Sequence, residues 1–125
     1  MPGLNGSAQA EVNGQNTAVA FGSGDINVFA TPAMIGLMEK AALSSVDPLL
    51  PEGYTTVGIK VNVEHVAATP VGGLVRAQSK LLEIDGWRLV FEVQALDDTR
   101  LVGRGIHERF IVRADKFLQR VAGKK

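Results

Sequence analysis

Two kinds of hydrophobic pattern divide the chain. Residues 32–45 (PAMIGLMEKAALSS) are apolar almost all round, with Glu39 and Lys40 as their only charges. A helix without a polar face is buried on most sides rather than laid on a surface. Thr31-Pro32 predicts where that helix starts, because a threonine hydroxyl can cap it and proline tolerates the first helical position. Pro48 and Pro51 close it off.

Alternation governs the rest. Residues 55–66 (TTVGIKVNVEHV) set Val57, Ile59, Val61 and Val63 on one side and Lys60, Asn62 and Glu64 on the other. Residues 73–84 and 87–96 flank Asp85-Gly86, a strong hairpin signal. Across that turn Leu82, Ile84, Trp87, Leu89, Phe91 and Val93 are expected to share a face, and Glu83 to oppose Arg88. Asp97-Asp98 turns the chain into a strand over 100–112, and a short helix over 114–122 stops at Gly123. Upstream, residues 1–7 read as a loose tail, 9–21 as a first strand and 22–25 as a loop. The expected order is strand, buried helix, then four strands joined mostly as a meander. This is an α+β fold over 1–125, one antiparallel sheet curled round one helix.

Composition narrows the function. Apolar residues make up 46% and charged residues 21%, as in ordinary globular domains. Thirteen basic residues balance 13 acidic ones, so no broad positive field calls for nucleic acid or anionic lipid. With no cysteine, thiolate nucleophiles and Cys-type zinc sites are excluded, and two histidines (His65, His107) make a His-rich metal site unexpected. The first residues lack a secretory pattern and no run of about 20 apolar residues occurs, so a cytoplasmic location is expected. Nucleotide-binding glycine loops and a Gly-x-Ser-x-Gly elbow are absent.

Three residues are polar where the pattern asks for apolar. His65 shares parity with the valines of its strand, Glu39 sits inside the apolar helix, and Thr31 stands at its entrance. Burying an imidazole and a carboxylate costs free energy unless they pair or meet a ligand. Each also has a plainer reading: a hydrogen-bonded core histidine, a glutamate at a solvated edge, a helix cap. Eight helical steps of about 1.5 Å would hold Thr31 and Glu39 roughly 12 Å apart. An entry segment not yet helical is therefore expected at Thr31, or a substrate and His65 between the two. His107 is expected to be structural, on a face with Leu101, Gly103, Gly105, Arg109 and Ile111.

The segments Phe29–Met34 (FATPAM), Val63–Gly72 (VEHVAATPVG) and Gly105–Phe110 (GIHERF) resemble the fluoroacetyl-CoA thioesterase-like family of hot-dog-fold thioesterases. The resemblance spans roughly residues 15–113. It implies a hot-dog fold and hydrolysis of a small or medium acyl-CoA thioester, with a threonine, a glutamate and a histidine at Thr31, Glu39 and His65. It also implies a backbone oxyanion donor near Gly58, a structural or ligand-facing role for Arg109, and homodimers with sites near the subunit boundary. Coenzyme A enters as part of the substrate, with no cofactor or metal. His65 would be the general base, Glu39 its partner and Thr31 the nucleophile or the residue that orients water, by triad logic. A rival scheme makes Glu39 the base or nucleophile. Lys60, Arg76 and Arg104 are candidates for holding the CoA phosphates. A non-catalytic acyl-CoA-binding module and a hydratase or dehydratase relative are the alternatives.

Overall fold

The structure, a computed structural model, describes residues 2–123. In chain order the elements are β1 (Asn5–Glu11), α1 (Ala18–Phe21), α2 (Thr31–Val46), a 3-10 turn (Asp47–Leu49), β2 (Tyr54–His65), β3 (Leu74–Asp85), β4 (Arg88–Leu96), β5 (Leu101–Arg113) and α3 (Ala114–Val121). The strands form one antiparallel sheet in the order β1-β3-β4-β5-β2.

The apolar helix is central to the sheet, but the expected burial on most sides does not hold: Pro32, Gly36, Lys40 and Ser44 are exposed along one side. Met34, Leu37, Met38, Ala41, Ala42 and Val46 of α2 are buried against Val75, Ala77, Leu81, Leu89, Phe91, Val93, Ala95 and Val102 of the sheet. Fully burying one such large side chain contributes about 1.5–3 kcal/mol. Close approach is built in at Gly103 of β5, where a Cβ would collide with the Met34 thioether. That explains a glycine in the middle of a strand. Among the described residues no helix is long and apolar enough to cross a membrane.

Several expectations need correction. Residues 5–7, expected in a loose tail, begin β1, because their backbone pairs with Ser79, Lys80 and Gln78 of β3. Residues 12–21 leave the sheet instead of continuing it. Thr17 caps the short α1 through the Ala20 N–H, at 3.2 Å. The meander holds only for β3, β4 and β5; β2 crosses to the far edge beside β5. Trp87 is 58% exposed and stacks on Tyr54 instead of joining Leu89 and Phe91 inside. Arg88 pairs in register with Asp85, not Glu83, although its guanidinium reaches Asp85 at 3.1 Å, Glu108 at 3.0 Å and Glu83 at 4.0 Å.

The most consequential correction lies in β2. Its register with β5 slips between Gly58 and Lys60, leaving Ile59 as an extra residue. Beyond the bulge Val61, Val63 and His65 face His107, Gly105 and Gly103 on the helix side. Before it the parity reverses: Thr56 and Gly58 take the helix side opposite Ile111 and Arg109, and Val57 turns outward opposite Phe110. Val57 therefore does not share the face of His65, as unbroken alternation implied.

Candidate active site

Thr31 is the first residue of α2, and the cap position falls on Ala30, which makes no side-chain cap bond. The threonine hydroxyl is thus not spent on capping. It lies 2.8 Å from His65 Nδ1. The entry strand that delivers it is stitched on both sides. Ala30 N–H donates to the Asn16 carbonyl at 2.9 Å and Phe29 N–H to the Thr69 carbonyl at 2.8 Å. Thr69 is itself buried, its hydroxyl donating to Asp97 at 2.9 Å. The N–H of Thr99 and further hydrogen bonds hold the Asp97 carboxyl below its ordinary range. His65 ends β2, and the next residue is fixed by Val66 N–H donating to the Val102 carbonyl at 2.7 Å.

Thr31 and His65 open onto a hollow of about 430 Å³, walled by Ala18, Ser23, Val28, Phe29 and Val66–Ala68. Burial holds the imidazole below the ordinary histidine value, with the backbone of Ala67 pulling the other way. A neutral imidazole beside a hydroxyl can accept its proton. His65 Nε2 is enclosed and has no hydrogen-bond partner.

Glu39 is elsewhere. It lines a second hollow of about 320 Å³ with Gly36, Lys40, Leu43, Gly58 and Arg109. The helix is regular from Thr31 onward, so the non-helical entry expected there does not occur and Glu39 stays two turns away. Around Gly58 the space is tight. A Cβ there would lie 2.7 Å from Glu39 Oε2, 3.2 Å from His107 Cε1 and 3.5 Å from Arg109 Nη1. Arg109 is only 6% exposed; its Nε–H donates to Thr56 Oγ1 at 2.7 Å and its Nη2 to the Thr56 carbonyl at 2.9 Å. Burial lowers its basicity, against the fields of Glu39 and Asp47. One chain therefore joins Thr31 to His65 and Glu39 to Gly58 and Arg109, but not the two groups to each other.

The remaining basic candidates sit apart from both hollows. Lys60 and Arg104 lie on the outward face of β2 and β5, where Arg104 reaches Glu64 at 3.5 Å, and Arg76 lines a small hollow with Asp97 and Asp98. Sequence reasoning missed Thr56, whose hydroxyl and carbonyl hold Arg109, and the pocket wall from Ala18 to Phe29. The parity argument hid Thr56 because the bulge that turns it inward leaves no mark in the pattern.

Comparison with known proteins bears on the fold and the family. Residues 12–115 match the family described as fluoroacetyl-CoA-specific thioesterase. A fluoroacetyl-CoA thioesterase from Streptantibioticus cattleyicolor is 39% identical over 97 residues, which is 78% of this chain and 70% of that protein. A solved fluoroacetyl-CoA thioesterase superposes with a TM-score of 0.93 at 31% identity, covering 100% of this chain and 97% of the other. A hot-dog-like protein from Thermanaerovibrio acidaminovorans gives 0.88 at 25% identity, over 98% and 90% of the two chains. The sheet curled round one buried helix is thus the hot-dog fold. The chain belongs to the fluoroacetyl-CoA-specific thioesterase family.

Proposed function

We propose that this protein is an acyl-CoA thioesterase that hydrolyses a small or medium acyl thioester to the free acid and CoA. The observation that carries the reading is the 2.8 Å contact between Thr31 Oγ1 and His65 Nδ1 at the mouth of a hollow. Its family membership supports it independently. His65 takes the proton of Thr31 as the hydroxyl oxygen attacks the thioester carbonyl. The C–S bond then breaks, the CoA sulfur takes that proton, and water hydrolyses the threonine ester with His65 again as base. The first N–H groups of α2, left without a side-chain cap, and the backbone N–H at Gly58 are assigned to the developing oxyanion. The rival scheme, with Glu39 as base or nucleophile, is not available within one chain, where Glu39 lines a different hollow from His65.

The same proposal makes the enzyme a homodimer whose sites are completed between copies. Strand β2 is a sheet edge, and two of its apolar residues, Ile59 and Val61, are 51% and 38% exposed. Such an edge favours pairing with another strand. Antiparallel pairing of β2 with its own copy, about a two-fold axis between Val61 and Asn62, sets Gly58 of one copy against His65 of the other. That brings Glu39 of one chain to the Thr31–His65 couple of the second, where it can stabilise the imidazolium. Lys60, Arg76 and Arg104 remain candidates for the CoA phosphates. A cytoplasmic location and independence of metals and cofactors are parts of this proposal; hydrolysis undiminished by a chelator tests the latter.

Mixing two inactive variants tests the core of it. In a heterodimer of Glu39→Gln with His65→Ala, one site carries both lesions and the other carries none. Refolding the two together is expected to restore roughly a quarter of wild-type thiol release from an acyl-CoA panel. Failure to restore activity refutes the shared site. A wild-type protein that binds acyl-CoA and releases no thiol, or that instead hydrates an enoyl-CoA, refutes the thioesterase.

A further inference from the structure

His107 is 1% exposed and takes no part in the chemistry above. Its two ring nitrogens are both committed, and their partners fix its state. Nδ1 lies 2.9 Å from the Lys60 carbonyl, which can only accept, so Nδ1 carries the proton. Nε2 lies 3.1 Å from Arg109 Nη1, which can only donate, so Nε2 is bare. The ring is therefore neutral and of one tautomer. Burial, and the charge of Arg109, also hold it below the ordinary histidine value, against the Lys60 carbonyl.

What these bonds grip is the bulge of β2. His107 holds the Lys60 carbonyl on one side of Ile59, and Arg109 holds the Thr56 carbonyl and hydroxyl on the other. Gly58 lies between the two grips, where a Cβ would meet Glu39 Oε2, His107 Cε1 and Arg109 Nη1. Among the described residues, every hydrogen bond of Arg109 goes to a neutral partner. Its orientation therefore depends on His107 and Thr56 rather than on an ion pair.

We propose that His107 is a positioning residue, which clamps the β2 bulge and aims the Arg109 guanidinium so that Gly58 and Glu39 are presented in fixed geometry. This rests on the thioesterase reading, because it assigns Gly58 and Glu39 their roles. A displacement on the order of 1 Å at a catalytic group can cost about 100-fold in rate.

The test uses His107→Leu, which removes both bonds, and His107→Gln, which retains a donor and an acceptor. For His107→Leu, kcat is expected to fall roughly 10- to 100-fold with KM changed less than about three-fold, and His107→Gln to recover most of the loss. Equal kcat in wild type and His107→Leu overturns the proposal, as does a glutamine variant no better than leucine. A wild type without thioesterase activity strikes the underlying reading instead. Should the leucine variant fail to fold, the wild-type protein still decides: nitrogen-15 spectra of the ring are expected to show the Nδ1–H tautomer at neutral pH. An Nε2–H or charged ring overturns the proposal.

Discussion

The two hollows flanking α2 hold the same kinds of groups in opposite conditions. At the helix entrance a hydroxyl and an imidazole meet through a single hydrogen bond, and one ring nitrogen is left without a partner. Around Gly58 an imidazole, a guanidinium and a threonine satisfy one another almost completely. The first arrangement presents the Thr31 hydroxyl to an open hollow; the second is committed to holding its own shape. Buried polar networks that are fully satisfied make a region rigid, whereas a hydroxyl facing a hollow can meet a substrate.

Breaking each side should therefore register differently. The largest expected effect is on rate at the entrance: His65→Ala should lower kcat on the order of 10³-fold or more, with the unfolding midpoint nearly unchanged. Steady-state thiol release and thermal melting read the two quantities. At the other hollow, Arg109→Met should act first on stability. It strands Thr56 and His107 Nε2 without their donor, costing about 2–3 kcal/mol in urea unfolding. A stable Arg109→Met variant would show that the guanidinium is held for the ligand alone.

The smallest effect is the pH dependence, and it sharpens the contrast by acting on both sides. Burial lowers His65 and His107 from the ordinary value of 6.5. Below that value the unfolded chain takes up protons that the folded one refuses, so stability is full above it and falls as the pH drops toward the lower folded values. Urea midpoints at about pH 7.5 and about pH 5.5 should show the decline, and His65→Ala should remove only its own share. In kcat/KM the acid limb should lie below 6.5, since the general base stays neutral there. An acid limb above that value would contradict the burial of His65.

Much of the architecture was legible because composition leaves the helix little choice. Only Glu39 and Lys40 are charged between Pro32 and Ser45, which marked the helix for packing on the sheet, although Pro32, Gly36, Lys40 and Ser44 leave one side of it exposed. The turn and strand limits followed from Gly86 and the two aspartates at 97–98, each within a residue or two of the observed ends. Of β1 only the end was legible, through the strand expected over 9–21; its start was not, since NGSAQAE carries small and polar side chains and is held by backbone pairing with β3. At the site, parity placed His65 on the helix side and the family resemblance selected Thr31 as its companion. Helical rise alone already separated Thr31 from Glu39, and the regular start of α2 turned that separation into two hollows.

The extra residue in β2 has an effect that reaches past its own neighbourhood. Gly58 and His65 stand an odd number of positions apart, so an unbroken strand would aim one at the helix and the other at solvent. The slip at Ile59 cancels that mismatch of phase and lets a single strand furnish inward groups at both ends. Drawing Ile59 into the regular ladder would leave every candidate side chain in the sequence and yet turn one end of the strand inside out, whereas deleting Ile59 would keep Gly58 and His65 on one face.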